Sequence, residues 1–296
     1  MTTETFRTLK LTRDQEKQLY EAWREFETET PPYARFQLRP ENCVITCYES
    51  GKTVFQGKDA MVYAAAFENA QVRTGKSPSA GGDILPQAGS DEVGTGDYFG
   101  PVCVCAAIVS EADMDLIREL GVRDSKKLTD EQIREIAPKL MQQLKYSLLI
   151  VGNSTYNRVH ESSNLNAIKA KLHNQAYVNL MKKAPLPPFK VVDQFTPERS
   201  YYSYLKNEKQ IVRGIHFETK AEDHYPAVGA ASLIARYAFI RSMEQMSEAW
   251  DMEFVKGAGA AVDRCGIEFV RKYGYEKLGE VAKLHFKNTE KIKAAL

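Results

Sequence analysis

The chain has 296 residues, 43% hydrophobic and 27% charged, with 40 Lys and Arg against 39 Asp and Glu. This is the composition of a soluble globular protein with room for two domains, and its balanced charge names no partner while leaving a local basic patch open. No stretch has the length of a transmembrane helix and Met1 to Lys10 lacks the apolar core of a signal peptide, which excludes membrane insertion and secretion and sets the cytoplasm as the expected location.

Residues 11–28 read as an amphipathic helix. Thr12 with Gln15 makes a capping box, and Leu19, Trp23 and Phe26 recur at helical spacing. Short strands follow over 34–39, 42–49 and 52–56, divided by Pro40 and the Ser50-Gly51 turn, then a helix over 58–72. A unit of this kind can fold alone, so 1–72 is expected to be a first domain. Residues 73–83, rich in Gly, Ser and Pro, read as a linker, and 84–296 as a second domain.

The second domain opens on a strand running into Asp91. Glu92-Val93-Gly94-Thr95-Gly96-Asp97-Tyr98-Phe99-Gly100-Pro101 and an apolar strand over 101–109 come next. The glycines imitate a dinucleotide fingerprint, but that motif leads into a helix, whereas here Pro101 and a β-branched run lead into a strand. What remains is a hairpin, either structural with two incidental acids or presenting two carboxylates and several N–H groups to a ligand. Neighbouring acids in an apolar strand repel and lose hydration unless a cation joins them.

Thr129 is placed to cap a helix over 130–143; 146–151 is a strand, 153–159 a polar connection, and Asn164 starts a long helix to Met181. Strands over 189–193 and 211–217, an Ala-rich helix over 228–245 and a mainly helical end after Gly257-Ala258-Gly259 complete an α/β pattern. The five cysteines, Cys43, Cys47, Cys103, Cys105 and Cys265, lie mostly in apolar strand-like runs without a second pair at zinc spacing, and read as buried free thiols.

Four carboxylates fall at the ends of core elements: Asp91, Glu92, Asp193 and Glu222. Groups at strand ends and helix starts share a crevice in such sheets, and an all-oxygen set suits Mg2+ or Mn2+ ahead of zinc. Two such ions about 4 Å apart would clamp a phosphate. Taken singly, each acid reads equally as a turn or cap residue. Ser125-Lys126-Lys127, before a helix start, reads as an anion site or a solvated basic turn. Lys169, Lys171, Lys283, Lys287 and Lys291 read as solvated surface, and His173 and His216 as packed, satisfied histidines.

The run from Gly89 to Pro101 resembles the opening motif of bacterial ribonuclease HIII, a type 2 ribonuclease H. Asp124-Ser125-Lys126-Lys127-Leu128, Asn164-Leu165-Asn166 with Leu172-His173-Asn174, the run from Ala230 to Arg236, and Leu284-His285-Phe286-Lys287-Asn288-Thr289 resemble further motifs of that family, so the resemblance spans nearly the whole chain. It implies a ribonuclease H-like catalytic domain, with a mixed sheet flanked by helices, preceded by a small α+β TATA-binding-protein-like domain that binds substrate. The implied activity is endonucleolytic hydrolysis of the RNA strand of RNA/DNA hybrids with Mg2+ or Mn2+ in a two-ion site, leaving 5′-phosphate and 3′-hydroxyl ends.

In this resemblance Asp91, Glu92, Asp193 and Glu222 are the catalytic metal ligands, Gly94, Thr95 and Gly96 read the 2′-hydroxyl, and Ser125, Lys126 and Lys127 meet phosphates. Tyr33, Arg35, Phe36, Tyr48 and Phe55 are candidate contacts on the N-terminal sheet, although alternation sends about half of them to the other face. Glu222 stands where ribonuclease HII typically has Asp, and Thr95 where it usually has Arg. Both features point to ribonuclease HIII, and the departure in Gly94-Thr95-Gly96 favours longer RNA stretches over a single embedded ribonucleotide. Cleavage at single ribonucleotides, a nuclease for all-DNA duplexes and a non-catalytic nucleic-acid-binding protein are the alternatives, and a monomer is the default.

Overall fold

The computed structural model describes residues 6–71, 84–122 and 128–296, with the backbone alone at 65, 66 and 68–71. The chain separates into two compact units, residues 1–78 and 79–296. The expected linker at 73–83 lies outside the described residues.

The first unit runs β1 (Phe6–Lys10), α1 (Arg13–Trp23), β2 (Glu27–Thr28), β3 (Ala34–Leu38), β4 (Val44–Tyr48), β5 (Lys52–Gln56) and α2 (Ala60–Gln71). Its strands form an antiparallel sheet in the order β1-β5-β4-β3-β2. The capping box of α1 is present: the Gln15 N–H donates to Thr12 Oγ1 at 3.3 Å and the Thr12 N–H to Gln15 Oε1 at 2.9 Å. The helix stops at Trp23, earlier than its sequence pattern suggests, and a 3-10 turn carries Phe26 into solvent. Edge strand β1 was not legible in the sequence because it buries only Leu9.

Strand alternation sorts the aromatic candidates. Phe36, Leu38, Ile45, Cys47 and Phe55 share the face that packs on Leu19 and Trp23 of α1 and on Ala60, Ala64 and Phe67 of α2. Phe36 and Phe55 are therefore core residues and not ligand contacts. Arg35 is engaged with the Glu16 carboxylate and the Glu49 carbonyl. The opposite face carries Gln37, Thr46, Val54 and Thr8 in register across four strands. Tyr33, Tyr48, Lys52 and Val54 line a shallow cavity of about 480 Å³.

The second unit runs β6 (Gln87–Val93), β7 (Val102–Val109), α3 (Met114–Glu119), α4 (Asp130–Gln143), β8 (Lys145–Val151), α5 (Asn153–His160), α6 (Leu165–Met181), β9 (Phe189–Asp193), α7 (Glu198–Tyr204), β10 (Ile215–Glu218), α8 (Pro226–Ala249), α9 (Ala260–Tyr273), α10 (Leu278–Val281) and α11 (Lys287–Ala294). The sheet order is β10-β9-β6-β7-β8. β6, β9 and β10 are parallel, and β7 is antiparallel to both β6 and β8. The C-terminal ends of β6, β8, β9 and β10 therefore meet at one edge. The interior strand β7 is buried on both sides. Cys103, Cys105 and Ala107 face the core built with α4, α8 and α9, whereas Val102, Val104 and Ala106 face the one built with α6 and α7. All five thiols are free and buried.

Two connections differ from their sequence pattern. The polar stretch 153–159 is helix α5. Its polar side chains satisfy neighbouring backbone: Asn153 Nδ2 donates to the Gly100 carbonyl at 2.9 Å, and Asn157 Nδ2 to the carbonyls of Gly279 at 3.0 Å and Ala282 at 2.9 Å. Residues 211–214 do not pair as strand. Asn174 takes their place in the ladder, accepting from the Val212 N–H at 2.9 Å and donating to the Gln210 carbonyl at 2.8 Å.

Helix α8 lies directly on β6 at Gly89. A Cβ there would stand 2.3 Å from the Val228 nitrogen and 2.4 Å from the Ala227 carbonyl carbon. Backbone cannot yield as a side chain can, so Gly89→Ala is expected to cost about 3 kcal/mol and to lower the melting temperature by about 10 °C, read by thermal unfolding.

Candidate active site

Asp91 and Glu92 stand just before Val93, the last residue of β6, and Asp193 closes β9. The register pairs Ser90 with Val192, so Asp91 and Asp193 follow side by side on adjacent strands. The Asp193 carboxylate accepts from the Ala221 N–H at 2.9 Å, which ties the 3-10 turn holding Glu222 to the end of β9. Lys220 enters that turn in the left-handed region, at φ 59°, a costly conformation for a residue with a Cβ.

The acids act on one another. Asp91, 8% exposed, has its carboxyl pushed well above the usual range by burial and by the charges of Glu92 and Asp193, against a hydrogen bond from Ser232. Asp193 is raised to about 6 by burial and by Glu222 and Glu92, offset by the Ala221 N–H and by Lys169. Among the described residues no three acid, His or Cys side chains stand close enough to cage a cation unaided.

Glu92 goes the other way. Burial works to raise it, but the His173 hydrogen bond and the Lys169 charge bring it below the usual carboxylate range. His173 Nε2 lies 2.8 Å from Glu92 Oε2, and its Nδ1 lies 2.5 Å from Ser90 Oγ. A hydroxyl donating to Nδ1 fixes the tautomer that turns Nε2–H toward Glu92. Ser90, His173 and Glu92 stand in the order of a hydrolytic triad. Both Ser90 and His173 are fully buried, however, so the serine has no route to a substrate and the line serves orientation.

Lys169 is not solvated surface as its helix pattern suggests. It is 8% exposed, its ammonium pairs with Glu92 Oε1, and it lies 4.0 Å over the Phe195 ring. Its place four residues before His173 on α6 was the available signal, since that spacing puts both on one helix face. Lys171, by contrast, pairs with Glu208 near the surface. His173 is packed and satisfied. His216 is satisfied but exposed, 3.0 Å from Glu218 at the sheet edge.

The loop after the acids is built on glycine and on one buried lysine. Gly94 has φ +92°, and a Cβ there would lie 2.2 Å from the Pro101 carbonyl oxygen. Thr95 is half-buried and Gly96 exposed at the tip. Lys283, another residue with the sequence pattern of surface, is fully buried and donates to the carbonyls of Asp97, at 2.8 Å, and Gly100. Burial lowers its ammonium to about 8. Ser125, Lys126 and Lys127 lie outside the described residues.

Residues 88–289 match the Ribonuclease HII family profile, and residues 8–80 match a domain of unknown function, DUF3378. The chain is 39% identical over 295 residues to ribonuclease HIII of Exiguobacterium sibiricum, covering 97% of this chain and 96% of that one. It is 40% identical to ribonuclease HIII of Bacillus pumilus, at 96% and 97% coverage. The chain belongs to the ribonuclease HIII family. The crystal structure of Bst-RNase HIII in complex with Mn2+ is similar at a TM-score of 0.71 and 38% identity, over 98% of this chain and 99% of that one. Ribonuclease H2 from Pyrococcus horikoshii OT3, 24% identical with a TM-score of 0.60 over 71% of this chain, shares the fold. As a ribonuclease HIII family member the protein is a ribonuclease H, a hydrolase, with a ribonuclease H-like α/β unit preceded by a small α+β unit of TATA-binding-protein-like architecture. Among the described residues no helix is long and apolar enough to cross a membrane.

Proposed function

We propose that this family member hydrolyses the RNA strand of RNA/DNA hybrids endonucleolytically, with Asp91, Glu92, Asp193 and Glu222 holding two Mg2+ or Mn2+ ions. The observation that carries the reading is the mutual strain of the acids: Asp91 and Asp193, side by side at strand ends, are both raised by burial and by like charge. Such a set is short of positive charge, and its all-oxygen chemistry fits hard divalent ions. The Mn2+ complex of the similar Bst-RNase HIII supports it. When bound, the ions supply the charge that activates water at neutral pH and offsets the leaving oxygen.

The remaining roles fall to the chain itself. Asp193 is kept in place by the Ala221 N–H and Glu92 by His173 and Lys169, so two ligands are oriented before any ion arrives. Backbone groups of Gly94, Thr95 and Gly96 read the 2′-hydroxyl, the feature that separates RNA from DNA. Ser125, Lys126 and Lys127 neutralise phosphates, so affinity falls as salt rises. Tyr33, Tyr48 and Lys52, on the sheet face left open by α1 and α2, contact the hybrid from the first unit. Free buried thiols suit the reducing cytoplasm, where we place the protein.

One comparison tests this reading. A continuous RNA/DNA hybrid, a duplex with one embedded ribonucleotide and an all-DNA duplex are incubated with the protein in Mg2+ and in Mn2+. The continuous hybrid is expected to be cut at least about tenfold faster than the single ribonucleotide, a difference of about 1.4 kcal/mol in barrier. Cleavage of the all-DNA duplex, or of none of the three, overturns the assignment.

A further inference from the structure

Lys283 is fully buried, and its ammonium meets carbonyls where a buried cation ordinarily meets a carboxylate. It donates to the Asp97 carbonyl at 2.8 Å and to that of Gly100, and its own main-chain N–H donates to the Tyr98 carbonyl at 2.8 Å. Two neutral acceptors return only part of the hydration that an ammonium loses on burial. An apolar side chain of similar length would fill the space without that loss, so the charge is to be explained by what it holds.

The two carbonyls do not depend on it equally. That of Gly100 has a second donor, Asn153 Nδ2 at 2.9 Å, whereas among the described residues Lys283 supplies the donor for that of Asp97. Asp97 follows Gly96 directly and closes the turn. Its N–H donates to the Gly94 carbonyl at 3.4 Å, its carboxylate accepts from the Gly257 N–H at 2.6 Å, and the next N–H, that of Tyr98, donates to the Gly257 carbonyl at 2.8 Å. With Asp97 held at N–H, carboxylate and carbonyl, the turn has one orientation, and it carries Thr95 and Gly96 at its tip.

We propose that Lys283 is the positioning residue of ribose recognition: its charge, and not its bulk, fixes the turn from Gly94 to Asp97 in the form that admits a 2′-hydroxyl. This rests on the reading of Gly94, Thr95 and Gly96 as the ribose-reading group given above. A charged donor bonds a carbonyl more strongly than a neutral one does. Burial brings the Lys283 ammonium down to about 8, against the pull of the Asp97 charge. Cys103 of β7, Tyr156 of α5 and His285, which also face it, keep one form near that pH. Burial pushes the Cys103 thiol and the Tyr156 hydroxyl up to about 12, and burial with the charges of His160 and Lys283 lowers His285 to about 4. Of these groups, Lys283 is the one that changes charge between about pH 7 and about pH 9.

The test is equilibrium binding by fluorescence anisotropy, in EDTA so that nothing is cut. The ligands are an RNA/DNA hybrid and the same hybrid with 2′-fluoro in place of every 2′-hydroxyl, which keeps the A-form shape and removes the hydroxyl. Phosphate contacts are common to both and cancel in the ratio of affinities. The wild type is expected to prefer ribose about tenfold at about pH 7, the worth of roughly one hydrogen bond, and to lose most of that preference at about pH 9. Lys283→Met is expected to show the weak preference at both pH values, and Lys283→Arg, which stays charged, the strong one at both. Thermal unfolding identifies the folded variants, and the wild-type pH series decides by itself if Lys283→Met does not fold. A wild-type preference unchanged between the two pH values overturns the proposal, as does a folded Lys283→Met whose preference at about pH 7 stays within about twofold of the wild type. Either result leaves the loop as ribose reader. Equal wild-type affinity for the two hybrids at both pH values removes that reading, and the proposal with it.

Discussion

Replacing Asp91 by Asn is expected to slow cleavage of a continuous hybrid by at least about a thousandfold, or about 4 kcal/mol of transition-state stabilisation, while hybrid affinity changes less than about threefold. Size and one contact survive the change, because the amide oxygen still accepts the Glu92 N–H that Asp91 Oδ1 accepts at 2.8 Å. What disappears is a buried charge between Glu92 and Asp193. In the proposed function affinity is carried by phosphate and sheet contacts away from this carboxylate, so single-turnover rate and equilibrium binding should separate. A rate within about tenfold of the wild type would remove Asp91 from the catalytic set.

Asp193→Asn should do two opposite things. Cleavage is lost, and the metal-free protein becomes more stable by about 1–2 kcal/mol, about 3–6 °C in melting temperature. The folded protein holds the Asp193 proton up to about pH 6 against an ordinary value of 3.8. For an acid raised on folding, stability is greatest below the unfolded value and declines as pH climbs from near 4 to near 6, staying low above. The gain from Asn is therefore full above about pH 6.5 and vanishes near pH 4. The full shift would be worth about 3 kcal/mol, and partial solvent contact halves it. Mn2+ should raise the melting temperature of the wild type and do so much less in the variant. Equal melting temperatures without metal at pH 7.5 would show that Asp193 is not under strain.

Much of this was legible in the chain. The hairpin of β6 and β7, the Thr129 cap of α4, the Asn164 start of α6 and the acid at the end of β9 follow from local patterns, and the structure has each of them. The polar residues whose surroundings the pattern missed share one cause. Lys169, Lys283, Asn157 and Asn174 are polar residues in polar-looking segments, and each is defined by a partner far along the chain. Lys283 finds the Asp97 and Gly100 carbonyls, Asn157 those of Gly279 and Ala282, and Asn174 the backbone of Gln210 and Val212. Periodicity reports which face of an element is apolar. It carries no signal for a polar group buried by a distant contact.

The anchoring of the loop at Gly94 to Pro101 also bears on how distant changes reach the site. Its backbone is sewn to the end of the chain: the Gly100 N–H donates to the Val281 carbonyl at 3.0 Å, the Lys283 N–H to the Tyr98 carbonyl at 2.8 Å, and Tyr98 Oη meets Thr289 Oγ1 at 3.0 Å. Those partners stand more than 180 residues further along the sequence than the loop they hold. A substitution that loosens Val281, Lys283 or Thr289 therefore reaches the loop beside Asp91 and Glu92 through its backbone, without touching either acid.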